Sequence, residues 1–212
     1  MVLFYTSNAV SPPATIYMGK DKVENEDLIK YGLETDVWFH VDKLSSAHVY
    51  LRLPPDLPYG DWQNLPPALV MDLAQLVKAN SIEGNKKNNI TVIYTPWSNL
   101  KKTGDMPVGQ VSFHRNERVK RVHVPARENA IVNRLNKTKV EKEVDHEAER
   151  QARLKAEGRV KKAAAIEQER EAAAQRKIWE EQKKGKRFEG LFSEEAFEER
   201  AAQEDEDGDD FM

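Results

Sequence analysis

Two short segments of the chain place aromatic, imidazole and cationic side chains at alternate positions. Residues 36–42 and 47–53 alternate apolar and polar residues with the two-residue period of β-strands. If the two strands pair, one face of the sheet carries Trp38, His40, His48, Tyr50 and Arg52. Flat rings stack on nucleobases, with about 1–3 kcal/mol per stacked base, and a guanidinium binds phosphate. The pattern therefore predicts a nucleotide-binding face, unless a helix covers it and makes Trp38 and Tyr50 part of the core.

The same segment also contains the residue types of a hydrolytic site. These residues are Asp36, His40, Asp42, Ser45, Ser46 and His48. They are merely close in sequence, and the chain has no nucleophile elbow, no HExxH motif and no glycine-rich phosphate loop. It has no cysteine, which excludes a thiol nucleophile, disulfides and cysteine-based zinc sites. We therefore predict a protein that is not an enzyme, with no catalytic residues, no metal site and no cofactor.

A second set of candidate residues is basic. Residues 78–127 contain 10 basic and 3 acidic side chains, whereas residues 1–77 contain 5 basic and 10 acidic ones. Cations in loops and at strand edges can reach the phosphates of a nucleic acid, although a generic solvated face is the alternative. The candidates for these phosphate contacts are Lys86, Lys87, Lys101, Lys102, Arg115, Arg118 and Arg121.

The elements that must position these residues lie in residues 1–127. Short strand-like runs are separated by proline and glycine, and residues 21–31 and 66–80 have helical patterns. The predicted fold class is α+β: a single small domain whose mainly antiparallel sheet is packed by helices. A hairpin between residues 108–114 and 118–124 is also expected.

The rest of the chain has a different composition. Residues 128–187 are rich in Ala, Glu, Lys, Arg and Gln, which predicts a long charged helix. Only Ile131, Val132 and Leu135 look able to pack on the domain, and the other apolar residues keep no heptad. A single solvated helix in a monomer is therefore favoured over a coiled coil. Residues 188–212 contain a short apolar cluster, 188–197, and an acidic end that we expect to be disordered.

No stretch of the sequence has the pattern of a secretory signal or a transmembrane helix. We therefore expect a soluble protein of the cytoplasm or nucleus, with peripheral membrane attachment left open.

Several motifs together resemble the NFACT-R family. The central one is Asp36-Val37-Trp38-Phe39-His40-Val41 followed by Ser46-Ala47-His48-Val49. The segment GKDKVENEDL, residues 19–28, and the pair Lys101-Lys102 with Gly104, Pro107 and Gly109 extend the resemblance over about residues 1–125. The chain departs from the family pattern at Ser46-Ala47, where many members have Gly-Ser, and at Thr103, where many have proline.

The resemblance implies an RNA-binding role, since larger members of this family act on ribosomes in quality control of stalled translation. RNA or the ribosome is thus the expected partner, and a non-enzymatic adaptor the expected function. Two alternatives are left open. The C-terminal helix could recruit a protein, which would make the chain an interaction scaffold. The basic surface could instead bind DNA, in a sensor associated with a membrane, because positive charge alone does not distinguish DNA from RNA.

Overall fold

The computed structural model describes residues 1–54, 56 and 60–191. Within them, a seven-stranded sheet has the order β8-β5-β3-β4-β2-β1-β9, and a separate pair joins β6 to β7. The strands are β1 (Val2–Ser7), β2 (Ala14–Gly19), β3 (Val37–Val41), β4 (Val49–Arg52), β5 (Ile90–Pro96), β6 (Leu100–Lys101), β7 (Ser112–Phe113), β8 (Lys120–Val124) and β9 (Val140–Lys142). All pairings in both sheets are antiparallel.

The helices are α1 (Lys22–Tyr31), α2 (Pro67–Ala79), α3 (Asn129–Asn136) and α4 (His146–Leu191). At the start of α1 the side chain of Asp21 accepts a hydrogen bond from the Glu24 amide at 2.9 Å, which caps the helix. Pro67 occupies the first turn of α2, where its missing N–H group costs no helical hydrogen bond. The predicted α+β fold is confirmed.

The two faces of the sheet bury different side chains. Val37, Phe39 and Val41 point from β3 into a core that also contains the apolar side of α2. Trp38 and Tyr50 lie on the opposite face, where α1 and the β6–β7 pair cover them. The predicted alternation is therefore confirmed, and so is the pairing of the two strands, which sets Trp38 opposite Tyr50.

The composition of residues 128–145 predicted that they belong to the long helix, but the structure shows that they do not. They form α3, which buries Val132 and Leu135 against the domain, and then β9, which pairs with β1. The apolar side chains of α3 give this helix one buried face, which sets it apart from the charged sequence that follows. The long helix begins only at His146.

The chain divides after Gln151 into two compact units. In the second unit, the side chains of residues 154–183 are all exposed. The acidic end, and the apolar cluster 188–197 as far as its side chains are concerned, lie outside the described residues. In the part of the chain that the structure describes, no helix combines the length and the apolar character needed to cross a bilayer.

The hairpin predicted for residues 108–124 is wrong. Strand β7 pairs with β6, and β8 pairs with β5 in the main sheet. The loop between β6 and β7 therefore lies over the Trp38 face of the sheet, where Val111 and Phe113 pack.

Candidate nucleic-acid interface

A pocket of about 380 Å³ opens over the face of the sheet that carries Trp38 and His40. The first turns of α1 form one wall, the end of β3 and the turn after it form a second, and residues 108–113 form a third. The alternation of the two strands puts Trp38, His40 and His48 on the same face of the sheet, and all three line this pocket.

Hydrogen bonds fix the rings of the pocket relative to each other. The Trp38 indole Nε1 donates to Nδ1 of His48 at 2.9 Å, so the proton of His48 resides on Nε2. The His40 ring lies parallel to the Trp38 ring, at 8° and with 5.3 Å between centroids. Nδ1 of His40 is 2.7 Å from the Val41 carbonyl, which can only accept a hydrogen bond and therefore places a proton on that nitrogen.

Both imidazoles are neutral at physiological pH. Burial, together with a smaller effect of the neighbouring His40, lowers the pKa of His48 to about 3. Burial also lowers the pKa of His40. The floor of the pocket is consequently a set of neutral rings, which can stack on a flat ligand but do not attract an anion.

Three of the five predicted stacking and phosphate contacts are packed into the fold. Tyr50 is fully buried against Tyr17, with 5.0 Å between ring centroids, and Trp38 is only 2% exposed. His48 is 3% exposed, although it lines the pocket. The structure therefore matches the alternative left open above: α1 and the β6–β7 pair cover this face, and Trp38 and Tyr50 belong to the core.

Arg52 is engaged inside the domain. Its guanidinium lies 4.9 Å from the centroid of the Tyr17 ring, and its Nε is 3.6 Å from the Asp36 carboxylate. The Tyr17 hydroxyl donates to the same carboxylate, which is fully buried. Tyr17, Asp36 and Arg52 therefore form a structural cluster, and Arg52 keeps only a partly exposed side chain for any ligand.

The structure brings only some of the residues of a hydrolytic site together: His40, Ser45, Ser46 and His48 line the pocket, whereas Asp36 and Asp42 do not. Asp36 is held by Tyr17 and Arg52, as described above. The Ser46 hydroxyl accepts from the Val41 amide at 3.0 Å and donates to the Ala47 carbonyl at 3.2 Å, so it is bound to the backbone. In the described part of the chain, no three His, Asp or Glu side chains converge as metal ligands would.

Lys102 holds a wall of the pocket in place. Its ammonium donates to Glu26 of α1 at 2.7 Å and to the carbonyls of Pro107 and Gln110 at 2.8 and 3.0 Å. Glu26 in turn accepts the Gly109 amide. With three acceptors around it, Lys102 fastens residues 107–110 to α1, which differs from the phosphate contact expected from the sequence.

The other predicted cations lie at separate places in the domain. Lys86 and Lys87 are exposed in the turn between α2 and β5, and Lys87 forms an ion pair with Glu83. Arg118 lies over the Trp62 ring at 5.6 Å. The remaining three, Lys101, Arg115 and Arg121, are exposed. Arg121 is the one placed beside the pocket by strand register, since it pairs with Ile93, a pocket residue.

Sequence reasoning missed several pocket residues, including two lysines and an asparagine. Lys22 and Lys43 are exposed and line the pocket, one in the first turn of α1 and the other just after β3. Asn25 lines it as well, and its side-chain oxygen is buried without a hydrogen-bond partner among the described residues. The asparagine lies against Gly19, where an added Cβ would come within 2.4 Å of the amide oxygen. The sequence signal for Asn25 was its position after Gly19 in the segment 19–28, because the two residues are in close contact in the fold.

A family model and several known proteins match this chain. The family model described as the NFACT protein RNA binding domain matches residues 1–115. Coiled-coil domain-containing protein 25 of Bos taurus is 51% identical over the full length of both chains. The protein of the same name from Danio rerio is 60% identical over 72% of each chain. The one from Mus musculus is 58% identical over 80% of this chain and 81% of the relative.

The matched region contains the whole pocket, from Lys22 of α1 to Phe113 of β7. It ends before β8, whereas the match to the Bos taurus protein covers the whole chain. The chain therefore belongs to the NFACT-R family, a family of nucleic-acid-binding domains.

Proposed function

We propose that this protein binds RNA at the pocket and its rim, and that it acts as a non-enzymatic adaptor. One observation carries the proposal: a pocket floored by neutral stacking rings has the exposed lysines Lys22 and Lys43 at its edge, in a domain of an RNA-binding family. RNA is recognised largely through unpaired bases that stack on aromatic and imidazole rings, with cations near the phosphates. The ribosome is the RNA-rich partner that the family resemblance suggests.

The cations nearest to the pocket should make the phosphate contacts. Lys22 and Lys43 line the pocket directly, and Arg121 stands next to Ile93 in the strand register. We retain Lys86, Lys87, Lys101, Arg115 and Arg118 as outer contacts that a longer RNA could reach. Arg52 and Lys102 are removed from the phosphate set, because each is engaged by a carboxylate of the domain.

Replacing both Lys22 and Lys43 with alanine should weaken RNA binding and its salt dependence. Each lost phosphate contact on a single strand lowers the slope of log K against log salt by about 0.7, so the double variant should lose about 1.4. Fluorescence anisotropy of a labelled single-stranded RNA at several salt concentrations measures both quantities.

The matched control is the pair Lys86→Ala and Lys87→Ala, which removes the same charge from the turn between α2 and β5. It should reduce the slope less, since Lys87 already pairs with Glu83. A larger loss from this control than from Lys22 and Lys43 would move the interface away from the pocket. A slope near zero for the unaltered protein would exclude a phosphate-dominated complex.

A second prediction concerns whether Lys102 holds the wall of the pocket or contacts phosphate. The substitution Glu26→Gln distinguishes the two roles, because the Glu26 carboxylate cannot itself attract phosphate. If Glu26 and Lys102 only hold residues 107–110 in place, Glu26→Gln and Lys102→Met should each weaken RNA binding several-fold, with the salt slope unchanged. If Lys102 instead contacts phosphate, Lys102→Met should lower the slope by about 0.7, and Glu26→Gln should tighten binding. The same anisotropy titrations distinguish the two results.

A protein-interaction scaffold is the second candidate function. It is favoured by two adjacent side chains on α4, Ile178 and Trp179, which are 55% and 61% exposed. A pull-down that resists nuclease but is lost when Ile178 and Trp179 are changed to glutamate would favour the scaffold. Loss of the captured material on nuclease treatment would favour the RNA adaptor.

A further inference from the structure

The size of the pocket limits what can enter it. Ligand pockets in proteins measure roughly 300–1,000 Å³, and this one, at about 380 Å³, is near the lower end. A duplex is too large for such a space, whereas a single nucleotide taken out of its stack is of the right order. Any nucleic acid that uses the interior of the pocket must therefore present an unpaired nucleotide.

The floor of the pocket offers one platform for a base. Trp38 and His40 are parallel, 5.3 Å apart between centroids, so Trp38 takes up one side of the His40 ring. His40 is only half-buried, unlike Trp38. A base can extend this row of rings by stacking on the side of His40 that faces away from Trp38, which would give a stack of three rings.

The other surfaces of the pocket suit a flat, apolar ring with polar edges. Ile93, Val111 and Phe113 contribute apolar atoms. Asn25 supplies an amide that is 8% exposed and has no partner for its oxygen among the described residues. A carboxamide matches the paired donor and acceptor groups on the edge of a base.

Charge is arranged by depth. The interior holds neutral histidines and apolar side chains, while the two pocket lysines, Lys22 and Lys43, are exposed. An anion is therefore favoured at the mouth and a neutral ring inside. A nucleotide has this same division between phosphate and base.

We infer that the pocket captures one unpaired nucleotide, whose base stacks on His40 and contacts Asn25 while its phosphate lies between Lys22 and Lys43. This inference rests on the proposed function and names the part of an RNA that the pocket selects. The same chemistry could be presented by a free nucleoside monophosphate, so the test must separate the two sources.

The test compares three RNA hairpins that differ at one position. The first has a single unpaired adenosine bulged from its stem, the second has an abasic residue there, and the third is fully paired. Binding to the full chain and to His40→Ala is measured by anisotropy, and adenosine monophosphate is titrated separately as a competitor. Circular dichroism confirms that His40→Ala is folded, and His123→Ala, which removes an exposed histidine that does not line the pocket, is the matched control.

The bulged hairpin should bind the unaltered protein about tenfold or more tightly than the abasic and paired hairpins, which corresponds to one base stack. His40→Ala should lose that preference and add no further loss on the abasic hairpin, whereas His123→Ala should keep it. Equal affinity for all three hairpins, with normal salt dependence, would overturn the inference while leaving RNA binding in place. Absence of binding to any hairpin would overturn both. Binding of the monophosphate without competition against RNA would identify a free nucleotide as the ligand and also overturn the inference.

Discussion

Asp36→Ala is expected to lower the free energy of unfolding by about 3 kcal/mol. The carboxylate is fully buried, accepts the Tyr17 hydroxyl and is the counter-ion of Arg52. Its removal leaves a buried hydroxyl without an acceptor and a guanidinium without its partner, and removal of one member of a buried pair costs about 3–5 kcal/mol. We expect the lower end of that range, because Arg52 is 39% exposed and can turn toward water. Urea unfolding followed by circular dichroism measures the difference.

Asp36→Asn separates the two contributions. The amide oxygen can still accept from Tyr17, so only the attraction to Arg52 is lost, together with the cost of burying a charge. Burial is the largest influence on the pKa of Asp36 and raises it, which means that this charge is held against an unfavourable environment. The loss should therefore be about 1 kcal/mol. A loss for Asp36→Asn as large as for Asp36→Ala would show that the charge, and not the hydrogen bond, dominates.

The second large effect is a loss of stability in mild acid that depends on His48. Burial lowers the pKa of His48 to about 3 in the folded protein, compared with 6.5 in an unfolded chain. Between these values the unfolded chain binds a proton that the folded protein does not, so this contribution is fully present above pH 6.5 and decreases as the pH falls toward 3. At about 1.4 kcal/mol per pH unit, His48 should lower the free energy of unfolding by about 2 kcal/mol at pH 5.

His48→Gln is the variant that tests this. A glutamine oxygen can accept the Trp38 indole N–H in place of Nδ1, so the variant should be folded near neutral pH. Its stability should fall about 2 kcal/mol less than that of the unaltered protein between pH 7 and pH 5. Glu26 and Lys102 also act on His48, with opposite signs, and both remain in the comparison. Parallel pH profiles for the two proteins would contradict the assignment.

The course of the two central strands could be predicted from the sequence because their side chains alternate without a break. That pattern alone assigns Val37, Phe39 and Val41 to one face of the sheet and Trp38 and His40 to the other, and the structure confirms this assignment. Hydrophobic periodicity is a local property, so it is available before the fold is known. The long helix is similar, since its composition specifies helix without any tertiary partner.

What covers the Trp38 face could not be predicted in the same way. The cover comes from residues far apart in sequence: α1 supplies Leu28, and the β6–β7 region supplies Val111 and Phe113. The β6 and β7 strands have two residues each, too few for a periodic signal. Without this cover, Tyr50 looks as accessible as His40, although one is fully buried and the other partly exposed.

The roles of the cations were equally beyond local patterns. Lys101 and Lys102 are neighbours in sequence, yet one is exposed and the other has three acceptors. Lys22 and Lys43 lie in segments with acidic neighbours, and the excess of basic residues after position 78 drew attention away from them. Net charge over a long window indicates an affinity for polyanions, but only the fold shows which ammonium groups meet at one pocket.

The most direct test of the pocket as the RNA interface uses the four tryptophans of the chain as reporters. Trp38 belongs to the pocket, Trp62 lies beside Arg118, Trp97 donates to the Ile29 carbonyl, and Trp179 is exposed on α4. The indole N–H signals are recorded by two-dimensional nuclear magnetic resonance while a single-stranded RNA is added. The Trp38 signal should move most, because the Trp38 ring stacks on His40 and its Nε1–H donates to His48, so a base bound on His40 changes the group of rings to which Trp38 belongs. An unchanged Trp38 signal at saturating RNA, with Trp62 or Trp179 shifted instead, would contradict the pocket as the binding site.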